Sequence, residues 1–172
     1  HLPLVGYWSV TTNDEAIVSV DFHGDACPTE RSPKTALERQ TASLLERYFN
    51  GEKVDFADLP IDYSVPETHL RARVMRRLRE IPYGKVYSYQ WLAAELGMPQ
   101  APRAIGGALG RNTIPIIAPC HRIVAKNGLI GGFMRGQPEG RRVKTFLLEL
   151  EGHRFSGTRL LREWEDLLPG LA

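Results

Sequence analysis

The stretch with most chemical potential is Ile114-Pro115-Ile116-Ile117-Ala118-Pro119-Cys120-His121-Arg122, where an apolar run delivers a cysteine followed at once by a histidine and an arginine. The thiolate is the nucleophilic form of cysteine, and an imidazole with a positive field nearby lowers the thiol pKa. The alternative is an inert, buried cysteine beside an incidental histidine. Spacing leaves both open, because adjacent residues need not point the same way. The other cysteine, Cys27, has His23 and the terminal His1 for company. Zinc takes about four ligands, so Cys27 reads as a plain unpaired thiol, and no metal and no cofactor are expected. Two cysteines cannot build a disulfide framework for 172 residues.

A nucleophile needs a scaffold, and the composition allows one. Hydrophobic residues at 42% and charged residues at 24% exclude a disordered or fibrous chain. No apolar run reaches the roughly 18 residues of a membrane helix, and no secretory pattern opens the sequence. Starting at His1 rather than Met, the chain reads as processed, and the expectation is a soluble cytoplasmic protein, nuclear in a eukaryotic host. The overall charge of +2 hides a division. Residues 1–65 carry five Lys/Arg against 11 Asp/Glu, net −6, and residues 66–172 carry 17 against nine, net +8. Such asymmetry points to a polyanion-binding second part, or else to two differently solvated faces.

Val5 to Val10 and Ala16 to Phe22 alternate about the turn-rich Thr11-Thr12-Asn13-Asp14, which predicts a β-hairpin. Leu37, Thr41, Leu44, Leu45 and Tyr48 have helical spacing over 35–48, and Asn50-Gly51 ends that helix. Residues 59–66, with two prolines, read as a linker. The predicted organisation is a small α/β domain over 1–65, with no evident chemistry, and a mainly helical domain over 66–172. In the second part a helix spans 68–81, with arginines off its apolar side. Val86-Tyr87 is a short extended piece, Ser88 caps a helix over 89–96, and another helix covers 101–111 after Gly97-Met98-Pro99-Gln100. Two short helices about a Gly-containing turn suggest a helix-turn-helix.

The ordered motifs resemble those of the O6-alkylguanine-DNA alkyltransferases. Pro119-Cys120-His121-Arg122-Ile123-Val124 resembles their active-site motif, and 81–89 (IPYGKVYSY) the approach to their first recognition-motif helix. Arg103-Ala104-Ile105-Gly106-Gly107-Ala108-Leu109 is similar to their recognition helix, Asn112 lies at the family's interval before the cysteine, and Leu147 to Gly152 resembles their C-terminal helix. The likeness covers 66–153, and the first 65 residues match only in general character.

The resemblance implies a single-turnover methylated-DNA–protein-cysteine methyltransferase that takes an alkyl group from guanine O6 onto its own cysteine. Its partner would be double-stranded DNA containing O6-alkylguanine, with no membrane, and the protein would act as a monomer. Cys120 would be nucleophile and acceptor. His121 would take its proton through a water, Glu151 would orient the imidazole, and Asn112 would hold the turn before the cysteine. Tyr89 would donate to guanine N3 and crowd the 3′ phosphate. Arg103 would fill the stack vacated by the flipped base. Ala104, Gly106 and Gly107 would let the helix enter the minor groove; close packing against another helix is the other explanation for such small residues. The carbonyls of Cys120 and Ile123 would accept from the guanine amine, Phe133 and Met134 would line the pocket, and Met134 N–H would donate to O6. The remaining arginines would contact phosphates.

Phe133 stands where a tyrosine is usual, and Met134-Arg135 where small residues are usual, in a loop longer than is common. Three other functions compete. Binding-only relatives of the family lack the cysteine that this chain has. A DNA-binding regulator would not label its thiol, and a cysteine hydrolase would turn over repeatedly.

Overall fold

The computed structural model describes residues 6–13, 15–26, 33–66, 69–136 and 139–161. The predicted hairpin forms: β1 (Tyr7–Thr12) pairs antiparallel with β2 (Ile17–Gly24), with Val10 opposite Val20. Asn13 makes the turn, its Oδ1 accepting from Ala16 N at 2.7 Å and Glu15 N at 3.0 Å. Helix α1 (Ala36–Phe49) starts one residue later than its capping residue Thr35, whose hydroxyl accepts from Glu38 N while Glu38 bonds back to Thr35 N. That reciprocal box satisfies two donors that a helix start leaves free.

The segment expected to be a linker is instead part of the fold. Ile17 N donates to Pro60 O and Asp62 N to Ile17 O, both at 2.9 Å, so Ile61 lies beside β2 in a parallel bridge. Leu59 is 2% exposed. Prolines suit such an edge position because they have no N–H to contribute to a ladder.

Helix α2 (Leu70–Arg79) buries Ala72, Val74, Met75 and Leu78. Its arginines, expected to face phosphates, bind the protein itself. Arg79 Nη2 donates to the carbonyls of Phe56, Ala57 and Leu59 at 3.0, 2.7 and 2.8 Å. Arg71 reaches Tyr63 O, Arg73 reaches Leu96 O, and Arg77 bonds Glu80 and Glu95 while lying over the Trp91 ring. The guanidinium fork offers five donors, and here they fasten α2 to loops whose carbonyls lack ladder partners.

A two-residue strand β3 (Tyr87–Ser88) leads to α3 (Tyr89–Glu95), capped by Ser88, whose hydroxyl accepts from Trp91 N at 3.0 Å. Helix α4 (Pro102–Leu109) follows, with proline in its first turn where the missing N–H costs nothing. Both helices are shorter than the spacing predicts. Helix α4 packs on α2 and α3 through Ile105, Ala108 and Leu109. Strand β4 (Ile123–Val124) pairs parallel with β3, followed among the described residues by α5 (Gly140–Leu150) and a hairpin of β5 (Phe155–Ser156) with β6 (Arg159–Leu160).

Tyr48, Phe49, Val54 and Phe56 of the first half share one apolar cluster with Leu78, Ile105, Ile117 and Leu147 of the second. Each such buried side chain contributes about 1.5–3 kcal/mol by leaving water. Arg79→Met keeps the length of the stem but removes the side-chain donor from three carbonyls, of which Phe56 O keeps Leu59 N, and should destabilise the protein by about 1–3 kcal/mol. Urea unfolding followed by circular dichroism measures the loss.

Candidate active site

Cys120, His121 and Arg122 form one 3-10 turn that β4 continues, so pairing of β4 with β3 fixes the turn beside the start of α3. The loop before it is tied by Asn112: its Oδ1 accepts from Ile114 N at 3.0 Å, and its Nδ2 donates to Ala118 O at 2.8 Å and to Cys120 Sγ at 3.0 Å. Within this loop Ile116 has φ of 73°. A β-branched residue in the left-handed region costs on the order of 1–2 kcal/mol, which the burial of Ile114, Ile116 and Ile117 offsets.

Behind the thiol lies a fully enclosed charge cluster. His121 is 0% exposed, and its Nε2 lies 2.8 Å from Glu151 Oε1. Arg122 donates to the same carboxylate from Nε at 2.9 Å and Nη2 at 2.9 Å, and from Nη1 to Ile81 O at 2.6 Å. Gly84 N donates to Oε2 at 3.1 Å, and Tyr48 O–H donates to Oε1 at 2.7 Å. Burial alone would raise the Glu151 pKa, but His121 and Arg122 hold it well below the usual carboxylate range. Burial lowers the His121 pKa against the pull of Glu151, with Arg122 and Lys144 adding to the lowering. Burial likewise pushes the Cys120 thiol up, opposed by the Asn112 N–H and the Lys144 charge. The resting pair is therefore a neutral thiol beside a neutral imidazole. With Nε2–H committed to Glu151, Nδ1 carries the lone pair, and this buried atom has no protein partner.

A cavity of about 500 Å³ opens over Cys120, within the range that holds small ligands. Tyr89, Pro102, Arg103 and Gly106 form one wall, and Gly132, Phe133, Met134 and Gly136 the other. Two glycines shape that second wall. Gly131 has φ of 72°, and a Cβ there would sit 3.0 Å from Tyr89 Oη; a Cβ on Gly140 would collide with the Phe133 carbonyl. Met134 holds φ of 48°, also left-handed. On α4, Ala104 and Gly107 are exposed, which leaves close helix packing without support as the reason for their size.

The fold thus brings Cys120, His121, Glu151, Asn112, Tyr89, Arg103, Gly106, Phe133 and Met134 together. Ile123 stays out of the cavity, and its carbonyl accepts from Lys144 Nζ at 2.6 Å. His23 hydrogen-bonds Ser9 at 2.8 Å, whereas Cys27 and His1 lie outside the described residues. The sequence reading missed Tyr48 and Lys144. The first half therefore does reach the site, because Tyr48 donates to the Glu151 carboxylate from α1. A signal existed for each. A buried tyrosine hydroxyl needs a partner, and Lys144 falls on the apolar stripe of Val143, Leu147 and Leu148. Among the described residues no helix is long and apolar enough to cross a membrane.

Residues 1–63 match the ribonuclease-like domain of 6-O-methylguanine DNA methyltransferase, and residues 69–153 match its DNA binding domain. The methylated-DNA–protein-cysteine methyltransferase of Haemophilus influenzae is 36% identical over 152 residues, covering 86% of this chain and 81% of the relative. That of Metallosphaera sedula is 38% identical over 144 residues, covering 84% and 85%. The crystal structure of Mycobacterium tuberculosis OGT in complex with DNA aligns with a TM-score of 0.71 at 32% identity, covering 86% of this chain and 87% of that one.

Lys144 is 0% exposed, and burial lowers its pKa to about 8 from the ordinary 10.5. The cost of enclosing the ammonium is complete below about pH 8 and fades as pH climbs toward 10.5. The stability lost on Lys144→Met should therefore grow over that window, with a slope of up to about 1.4 kcal/mol per pH unit. Urea unfolding of both proteins at closely spaced pH values tests it; a difference independent of pH contradicts the buried, titrating amine.

Proposed function

Because the chain belongs to the 6-O-methylguanine DNA methyltransferase family, we propose that it repairs duplex DNA by moving an alkyl group from guanine O6 onto Cys120. The observation that carries this reading is a thiol at the floor of a cavity, bonded to Asn112 and backed by a neutral His121 held against the ionised Glu151. The Cys120 Sγ–carbon bond forms as the carbon–O6 bond breaks, in line. The thiol proton passes through a water to His121 Nδ1, and the imidazolium that results is stabilised by the adjoining Glu151 carboxylate. Guanine leaves with its bonding electrons, and Tyr89 O–H supplies hydrogen-bond donation at N3 as charge develops. The product is a thioether, which no group in the site can cleave, so each chain acts once.

The target atom is stacked inside the duplex, so the nucleotide rotates out from the minor groove into the cavity. Arg103, exposed at the mouth, occupies the vacated space, and the exposed Ala104 and Gly107 let α4 approach the groove floor. The Cys120 carbonyl accepts from the guanine amine, and Met134 N–H faces O6. With most α2 guanidiniums engaged internally, exposed Arg103, Arg111, Arg141 and Arg142 supply phosphate contacts. The boundary between the two domains falls near residue 65, the protein acts as a monomer, and its place is with the DNA in cytoplasm or nucleus.

Intact mass measurement after incubation with O6-methylguanine duplex should show one added methylene per chain, on the Cys120 peptide, and Cys120→Ser should abolish it. Repeated turnover, or a label elsewhere, rejects this function. Arg103→Ala should slow reaction with a lesion in duplex DNA by at least about tenfold, because it gives up part of an unstacking cost of a few kcal/mol. Reaction with free O6-benzylguanine should change far less, since nothing is flipped. Equal losses on both substrates, read as single-turnover rates, reject the finger assignment.

A further inference from the structure

Tyr48 sits on α1, in the half of the chain to which the proposed chemistry assigns no role, yet it is 0% exposed with its hydroxyl inside the charge cluster. Its O–H donates to Glu151 Oε1 at 2.7 Å, and the Tyr48 hydroxyl oxygen lies 3.3 Å from His121 Nε2. The ring is held from several sides, by Phe49 and Phe56 at 5.6 and 5.9 Å and by Tyr83 and His121 edge-on at 6.0 and 6.5 Å. Burial and the Glu151 charge raise its pKa well above the usual value, so the hydroxyl keeps its proton and remains a donor.

We infer that Tyr48 is a positioning residue for alkyl transfer, locking Glu151 Oε1 and the Nε2–H tautomer of His121 so that Nδ1 faces the thiol as base. The inference rests on the alkyl-transfer reading of Cys120. A carboxylate oxygen that accepts from both Tyr48 and His121 cannot rotate away without breaking two hydrogen bonds. Its negative charge is also shared between them, which limits how strongly it draws a proton onto the imidazole. A helix of the first half thereby sets the state of a base in the second.

Other charged or titratable groups border the pair: Arg122 from the same turn, Tyr83 from the loop before β3, and Lys144 from α5, with Cys120 adjacent. None of them is altered by Tyr48→Phe, which keeps the ring and removes only the hydroxyl. Single-turnover methyl transfer should fall on the order of three- to tenfold, about what one hydrogen bond contributes. The acid limb of the pH–rate profile should move to higher pH, because the Glu151 charge then acts on His121 unshared. On a Glu151→Gln background both effects should vanish.

An unchanged plateau and an unchanged limb overturn the inference. So does a slower plateau with the limb in place, or a loss that simply adds to that of Glu151→Gln, since either describes packing alone. The state of His121 is also read without any reaction, from the imidazole 15N resonances of wild type and Tyr48→Phe. A wild-type spectrum lacking the Nε2–H tautomer, or one that Tyr48→Phe leaves unmoved, sinks the inference by itself. If wild type methylates Cys120 while the variant matches it throughout, Tyr48 loses its role and the repair function stands. If wild type transfers nothing, the function falls, and the 15N spectra still decide whether Tyr48 holds the imidazole.

Discussion

The carboxylate of Glu151 is the constraint around which the structure is arranged. An ionised carboxylate enclosed in protein costs several kcal/mol unless its lone pairs are met by donors. Here they are met by Tyr48 from α1, Gly84 from the loop before β3, His121 and Arg122 from the turn that carries Cys120. Glu151 itself closes α5. Four separate stretches of chain are thereby required to converge on one point. Cys120 belongs to one of them, so its position is fixed by electrostatic satisfaction as much as by apolar packing.

Residues contiguous in sequence were legible, as were distant ones lying in a recognisable motif, such as Glu151, whereas Tyr48 and Lys144 were not. Cys120, His121 and Arg122 occupy one turn, and Asn112 reaches that turn through a short loop, so a local motif carries their relation. Ser88 as a cap and the hairpin alternation are likewise local patterns, and the structure has both. Tyr48 and Glu151 are 103 residues apart. At helical spacing Tyr48 reads as one more apolar position, because periodicity registers the ring and is blind to the hydroxyl. Lys144 hides differently: its charge argues for solvent, and only the carbonyls of Ile123 and Gly132, brought near by the fold, make burial possible.

The arginines of α2 make the same point about charge. Counting them toward a polyanion-binding face treats each guanidinium as free, whereas Arg79 spends its donors on three carbonyls of the segment before Ile61. The last of these, Leu59, opens the 59–66 stretch that looked like a linker because prolines interrupt its periodicity. Its carbonyls, lacking strand partners along most of its length, take side-chain donors instead. Net charge per half is a sound guide to composition and a poor one to which cations face a ligand.

If Cys120 is the nucleophile proposed, burial also accounts for how it is kept without being spent. Burial raises the thiol and lowers the imidazole, so the ion pair of thiolate and imidazolium is disfavoured at rest. Groups that would stabilise the charged pair are nonetheless in place: Asn112 N–H on sulfur, the Lys144 ammonium nearby, Glu151 behind the ring. On the proposed chemistry, charge appears on sulfur and ring only as an alkyl carbon arrives to receive the electron pair, and the oriented donors then act without having to reorganise. On that same proposal, a site used once per chain would gain from this arrangement, because a standing thiolate is open to oxidation or to the wrong electrophile. Enclosure by α1 and the pocket wall and the neutral resting pair are then two consequences of one burial.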